Sequence, residues 1–270
     1  MIINVIQHCS LCCSHRMQNA GPYRSEMMDM DTFCKAMEFA EKIGSNVVSI
    51  SGGEPTTHPL FFEFLERLLK SKFKIVNVLS NGTFIRSHKF TEEFASMVKC
   101  RNGFFLQITS IKGLYDNYEE LQKPGLKAKR MFGDKLTICD SMDEIRILPL
   151  GRACQGEWYD EAKRVNAFPS CTNSSLILAQ CKEMQGIGIG ALMECYQRFC
   201  LPIVSWDGSI RLGESEQCKI VANISEPLED INKKLFDFRP CGDCDSYKWH
   251  FQNPSTEQEK KVCEVLFKDN

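Results

Sequence analysis

Three cysteines fall within five positions, Cys9, Cys12 and Cys13 of "CSLCCSH", directly after a short apolar run. Neighbouring thiols such as Cys12 and Cys13 diverge and make a poor disulfide, so metal or cluster binding is the chemistry this loop points to. A second set stands far downstream: Cys200 and Cys218 in "CLPIVSWDGSIRLGESEQC", with Gly213 between them, then Cys241 and Cys244 in "RPCGDC". Four thiolates at such spacing can hold either an iron–sulfur cluster or a structural zinc ion. Between the two sets lie "SGGEP" (Gly52, Gly53, Glu54, Pro55) and "SNGT" (Ser80, Asn81). Glycines let the backbone close on a ligand, and an acid can pair with a cation. Each string taken alone also reads as a plain turn, with Pro55 at a first helical position.

Bulk properties bound these readings. The chain has 270 residues and fifteen cysteines, an odd number with no export signal ahead of it, so reduced thiols fit better than a disulfide framework. A net charge of −2 with no basic run argues against a nucleic-acid partner held by phosphate contacts. No apolar stretch approaches a membrane span, and the expected location is the cytoplasm.

The elements that must position these loops alternate through residues 1–150. "IINVIQ", "NVVSI", "KIVNVLS", "GFFLQITSI", "KLTICD" and "EIRILPL" read as six strands. "DMDTFCKAMEFAEKIG" and "PLFFEFLERLLKSK" carry apolar residues at helical spacing, and "TEEFASMV" reads as a helix capped by Thr91. The crossover "GLYDNYEELQKPGLKAKRMFGDK" has only a weak helical pattern. Alternation of this kind predicts parallel βα units, whose ligands gather at the carboxyl ends of the strands. The cysteine loop, "SGGEP", "SNGT" and "LPLGRA" all fall at that edge. "VSWDGSIRL" reads as a hairpin around an Asp-Gly turn.

Strand–cysteine loop–helix, strand–"GGEP", strand–"SNGT" resembles the core of the radical S-adenosylmethionine (radical SAM) enzymes. The resemblance covers about residues 1–152 and implies an α/β fold, a partial (β/α)6 barrel. Residues 153–194 are expected to form a linker region, and 195–270 a small cysteine-rich domain. The resemblance further implies a [4Fe–4S] cluster on a C-x3-C-x2-C loop, with S-adenosylmethionine on its open iron. Matched residue by residue, Cys9 and Cys13 take the first two ligand places, and His15 the place of an aromatic residue near the adenine. The carbonyls of Gly52 and Gly53 and the carboxylate of Glu54, followed by Pro55, match the site for the cofactor's amino group. Ser80 and Asn81 match the ribose or methionine side, while Thr109, Ser110, Leu148 and Pro149 are weaker matches.

The third ligand place holds Arg16. A guanidinium has no lone pair to give near neutral pH. Either Cys12 or His15 shifts to ligate, or Arg16 ligates deprotonated, or the cluster is lost or weakened. An arginine that does not ligate is expected to point to solvent or to an acid such as Glu54. The downstream pattern, C-x12-G-x4-C followed by C-x2-C, is similar to the auxiliary-cluster domain called Twitch, a shortened relative of SPASM. That similarity implies one auxiliary [4Fe–4S] cluster on Cys200, Cys218, Cys241 and Cys244.

Two functions follow. One is a radical SAM oxidoreductase or maturase, fed electrons by a flavodoxin or ferredoxin, abstracting hydrogen from a peptide, protein or small biosynthetic molecule. The other is a non-catalytic relative that binds a ligand or transfers electrons. A zinc-binding interaction module leaves "GGEP" unexplained.

Overall fold

A computed structural model describes residues 1–16, 18–140, 152, 202–212 and 218–237. Its centre is one eight-stranded sheet in the order β5-β4-β3-β2-β1-β6-β7-β8. The strands are β1 (Ile2–Asn4), β2 (Val47–Ser51), β3 (Ile75–Ser80), β4 (Phe104–Thr109), β5 (Leu136–Cys139), β6 (Pro202–Val204), β7 (Ser209–Leu212) and β8 (Ile220–Asn223). All pairs from β5 to β1, and β1 with β6, run parallel, while β6-β7 and β7-β8 are antiparallel. The strand expected over "EIRILPL" and the linker 153–194 lie outside the described residues.

Four helices return the chain between the parallel strands: α1 (Met30–Lys42), α2 (Phe61–Lys70), α3 (His88–Val98) and α4 (Tyr118–Phe132). Alpha-helical spacing of Phe33, Ala36, Phe39 and Ala40 buries one stripe of α1, and the Asp29 carboxylate caps it by accepting from Thr32 N. Phe61, Phe64, Leu65 and Leu68 do the same for α2. Phe33 stacks on Phe64 with ring centroids 4.1 Å apart, and Phe94 meets Phe61, Phe104 and Phe132 edge-on. These rings fill the layer between helices and sheet.

Two helices depart from expectation. Helix α3 begins at His88 rather than at Thr91, because Ser87 caps it by accepting from Phe90 N at 3.3 Å. Thr91 lies inside and donates its hydroxyl to Ser87 O at 2.7 Å. The weakly patterned crossover is a helix of 15 residues with Pro124 inside it. Its buried stripe is Leu121, Gly125, Ala128 and Phe132, so two of its four members are too small to register as apolar periodicity.

The Asp-Gly hairpin forms as read: Gly208 has φ 78°, and Asp207 Oδ1 accepts from Ser209 N at 3.0 Å. Its place was not foreseen. β6 pairs with β1 (Ile2↔Ile203, Ile3↔Val204), so the sheet runs unbroken into the segment 195–270. A further helix, α5 (Leu228–Asp237), closes this side, with Ile231 and Leu235 buried. Among the described residues no helix is long and apolar enough to cross a membrane.

His58 ties the start of α1 to the turn before α2. Its Nε2 lies 2.9 Å from Met28 O, and its Nδ1 accepts from Leu60 N at 3.0 Å. That pair of bonds fits the neutral ring, and burial holds its pKa below the ordinary 6.5. The stability carried by the neutral form is complete above the ordinary value and is lost as pH falls from there through the lowered value of the folded protein. The urea midpoint is therefore expected to drop between about pH 7.5 and about pH 5.5, and His58→Gln is expected to flatten that drop. Equal slopes for the two proteins would remove His58 as the cause.

Candidate functional site

The site is built where β1, β2 and β3 end. Beyond β1 the chain runs alongside the loop after β2: Gly53 N donates to Ile6 O at 2.6 Å and Glu54 N to His8 O at 2.8 Å. The approach leaves no room for a side chain. A Cβ on Gly52, whose φ is 142°, would lie 2.4 Å from Ile6 O, and one on Gly53 would lie 2.0 Å from His8 O. Both residues must be glycine for the two loops to meet.

Glu54 is fully buried and serves as the hub of this edge. Its Oε1 accepts from Thr56 N at 3.2 Å, Thr56 Oγ1 at 2.6 Å and Ser80 Oγ at 2.8 Å; its Oε2 accepts from Asn81 N at 2.7 Å. Burial raises its pKa, and these hydrogen bonds act in the opposite sense. Pro55 opens a short 3-10 turn (Pro55–Thr57) capped by Glu54, so the plain-turn reading of "GGEP" describes part of what it does. Asn81 links onward: its side-chain nitrogen donates to Cys9 Sγ at 3.5 Å, and its carbonyl accepts from Asn117 at 3.0 Å.

Arg16 points neither to solvent nor to Glu54. Its Nη2 donates to the carbonyls of both Gly52 (2.7 Å) and Gly53, and its Nη1 donates to Cys9 Sγ at 3.4 Å. The backbone explains the choice. With the amides of Gly53 and Glu54 committed to the β1 extension, the carbonyls of Gly52 and Gly53 are free to converge on a single cation. Glu54 already accepts from four donors of Thr56, Ser80 and Asn81.

The cysteine loop is buried around Cys9, Leu11, Cys13 and Ala20, while Cys12 is exposed. Cys9, Cys12, Cys13, Cys34 and Cys100 are free thiols, with Cys9 and Cys13 buried and Cys12 and Cys100 exposed. Burial pushes the Cys13 thiol up to about 11, against the lowering effect of Arg16. His15 lies 4.9 Å, centroid to centroid, from Tyr115. Burial, aided by the charges of Arg16 and Arg152, brings its pKa down to about 4, and its Nδ1 is buried with no hydrogen-bond partner among the described residues.

Arg152 closes the loop from the other side. Its Nε donates to Cys13 O at 3.0 Å and its Nη1 to Ala20 O at 3.0 Å, while its amide donates to Arg16 O at 2.9 Å. Sequence reading placed "LPLGRA" at this rim without singling out the arginine. Asn117 and Tyr115 were missed altogether, since neither belongs to a recognisable string.

The structure thus brings together Cys9, Cys13, His15, Gly52, Gly53, Glu54, Ser80 and Asn81. Thr109 ends β4, half-buried, and pairs in register with Cys139. Cys218 is buried near β7, its carbonyl accepting from Arg211 at 2.8 Å. Leu148, Pro149, Cys200, Gly213, Cys241 and Cys244 lie outside the described residues.

Three parallel βα units with loops gathered at one rim now have a counterpart among known families. Residues 3–127 match the family model of the radical SAM superfamily. Over that stretch the chain is similar to a radical SAM domain. No curated relative matches its sequence. A solved structure of hexahistidine-tagged anSMEcpe with bound AdoMet is similar at 13% identity with a TM-score of 0.50, covering 98% of this chain and 86% of that one. At that identity the likeness concerns the fold alone, and the bound AdoMet is that protein's.

A radical SAM domain implies a [4Fe–4S] cluster and S-adenosylmethionine. The side chains here do not fit that cluster. Cys9 and Cys13 supply two thiols, Cys12 is exposed, and the third place is a guanidinium engaged with two carbonyls. Among the described residues no group of three or more His, Cys, Asp or Glu side chains is arranged to hold a metal ion.

Proposed function

We propose that this chain is a non-catalytic relative within the radical SAM superfamily. It keeps the fold and the auxiliary cluster, serves as a binding or electron-transfer protein, and does not generate the 5′-deoxyadenosyl radical. One observation carries the reading: the Arg16 guanidinium rests on the carbonyls of Gly52 and Gly53 and on Cys9 Sγ, where the family resemblance puts the cofactor's ammonium and a cluster thiolate. After anaerobic reconstitution with iron and sulfide, and with dithionite present, the protein is expected to form no 5′-deoxyadenosine above a protein-free control. Sustained product formation would overturn the reading.

A second reading rests on His15. Its neutral Nδ1, unpartnered among the described residues, follows Cys13 by two positions and precedes Arg16, and imidazole does ligate iron in Rieske centres. On that reading the chain is a radical SAM oxidoreductase or maturase acting on a peptide, protein or small molecule, with a flavodoxin or ferredoxin as electron donor. The same nucleoside assay separates the two.

For residues 195–270 we keep the Twitch-like assignment, with Cys200, Cys218, Cys241 and Cys244 on one auxiliary [4Fe–4S] cluster. Reconstituted protein is expected to hold about four iron and four sulfide on this set. The double change Cys241→Ala and Cys244→Ala is expected to abolish the cluster's visible absorbance. One equivalent of zinc without sulfide would replace the cluster with a structural zinc site.

A further inference from the structure

The carbonyls of Gly52 and Gly53 have the make-up of a cation receptor. Their own amide direction is fixed by the β1 extension, through Gly53 N to Ile6 O and Glu54 N to His8 O, so the carbonyl oxygens are left without backbone donors from those strands. Directly after them stands the buried carboxylate of Glu54. One guanidinium nitrogen takes both carbonyls, and a second nitrogen of the same group reaches Cys9 Sγ at 3.4 Å. An ammonium would have to serve the carbonyls and the sulfur from one nitrogen; the planar fork of arginine serves them from two. The Arg16 backbone is held as well, its carbonyl accepting from Arg152 N at 2.9 Å.

We infer that the Gly52–Gly53 carbonyl pair is a guanidinium-binding site occupied by the protein's own Arg16, which cross-links the cysteine loop to the loop after β2 without a metal centre. Removing the side chain leaves a vacant site that small guanidinium compounds can enter from solution. The inference rests on the proposed reading that Arg16 remains in the mouth, and it is tested on metal-free protein, apart from any radical chemistry.

The experiment uses the full chain, chelator-treated and kept reduced, as the unaltered protein and as Arg16→Ala and Arg16→Lys. Arg16→Ala is expected to melt roughly 5–10 °C lower, consistent with losing hydrogen bonds from a charged donor. Amides of the cysteine loop are expected to exchange several-fold faster. Methylguanidinium at millimolar concentration should restore melting and exchange in Arg16→Ala along a saturable curve. It should leave the unaltered protein unmoved, and sodium chloride at matched ionic strength should restore nothing. Arg16→Lys keeps one cation on the carbonyls and should fall between, with a weaker response to methylguanidinium.

Unchanged melting and exchange in Arg16→Ala would overturn the inference. So would equal effects of methylguanidinium on altered and unaltered protein, or equal rescue by sodium. If Arg16→Ala does not fold, the comparison moves to Arg16→Lys, where unaltered loop exchange is the overturning result. Formation of 5′-deoxyadenosine by the unaltered protein would sink the proposed function while leaving these metal-free measurements to stand or fall alone.

Discussion

Arg16→Cys is expected to gain a second cluster and to raise cleavage of S-adenosylmethionine to 5′-deoxyadenosine by orders of magnitude over the unaltered protein. The substitution completes a C-x3-C-x2-C set with Cys9 and Cys13. It also replaces a fixed positive charge by a group able to become a thiolate, a swing of two charge units at the point where iron must bind. The Gly52 and Gly53 carbonyls lose their internal cation at the same stroke and become available to the ammonium of a bound cofactor. Iron, sulfide and nucleoside are counted in both proteins under strict anaerobiosis with dithionite. Cys9→Ala placed in the Arg16→Cys background should return all three to the starting level. If the unaltered protein already holds both clusters and cleaves at a comparable rate, then His15, Cys12 or Arg16 is a working ligand and the role given to Arg16 here is wrong.

Glu54→Ala is expected to cost about 2–4 kcal/mol of folding stability, a large share of what a domain has to lose. The carboxylate takes two hydroxyl and two amide donors from Thr56, Ser80 and Asn81, all in a fully buried setting. Without it the amides of Thr56 and Asn81 keep no acceptor there, and the ends of β2 and β3 lose their tie. Glu54→Gln is expected to fare little better, because its amide nitrogen would face a donor at one of the two oxygen positions. Urea unfolding measures both. A loss under about 1 kcal/mol for Glu54→Ala would show that the network rearranges, and would return Glu54 to a role in ligand charge pairing alone.

How far such a site can be read from residues depends on which groups make it. The positions of Cys9, Glu54, Ser80 and Asn81 were legible because side-chain identity at strand ends carries the information. The direction of Arg16 was not, because its partners are backbone carbonyls, and a string of letters does not say where a peptide group points. Arg152 reaches Cys13 and Ala20 across more than a hundred residues, and nothing local announces such a contact. Helices α1 and α2 stood out through large apolar residues at regular spacing, whereas α4 hid its stripe behind Gly125 and Ala128. The Asp-Gly turn identified the β6–β7 hairpin, but strand propensity is silent about which edge a hairpin will join, and β1 was not an obvious host.

That host strand sets the order in which the protein can be made. β1 is three buried residues at the start of the chain, flanked on one side by β2 and on the other by β6, some two hundred residues later. At ribosomal speeds of about 5–20 residues per second, roughly 10–40 s pass between the two. Throughout that interval the nascent sheet carries an unpaired parallel edge at β1, beside its cysteine loop, the kind of edge that recruits foreign strands. A cut near residue 152 would make the exposure permanent. In newborn chains that edge therefore stays open until the hairpin arrives to pair with it.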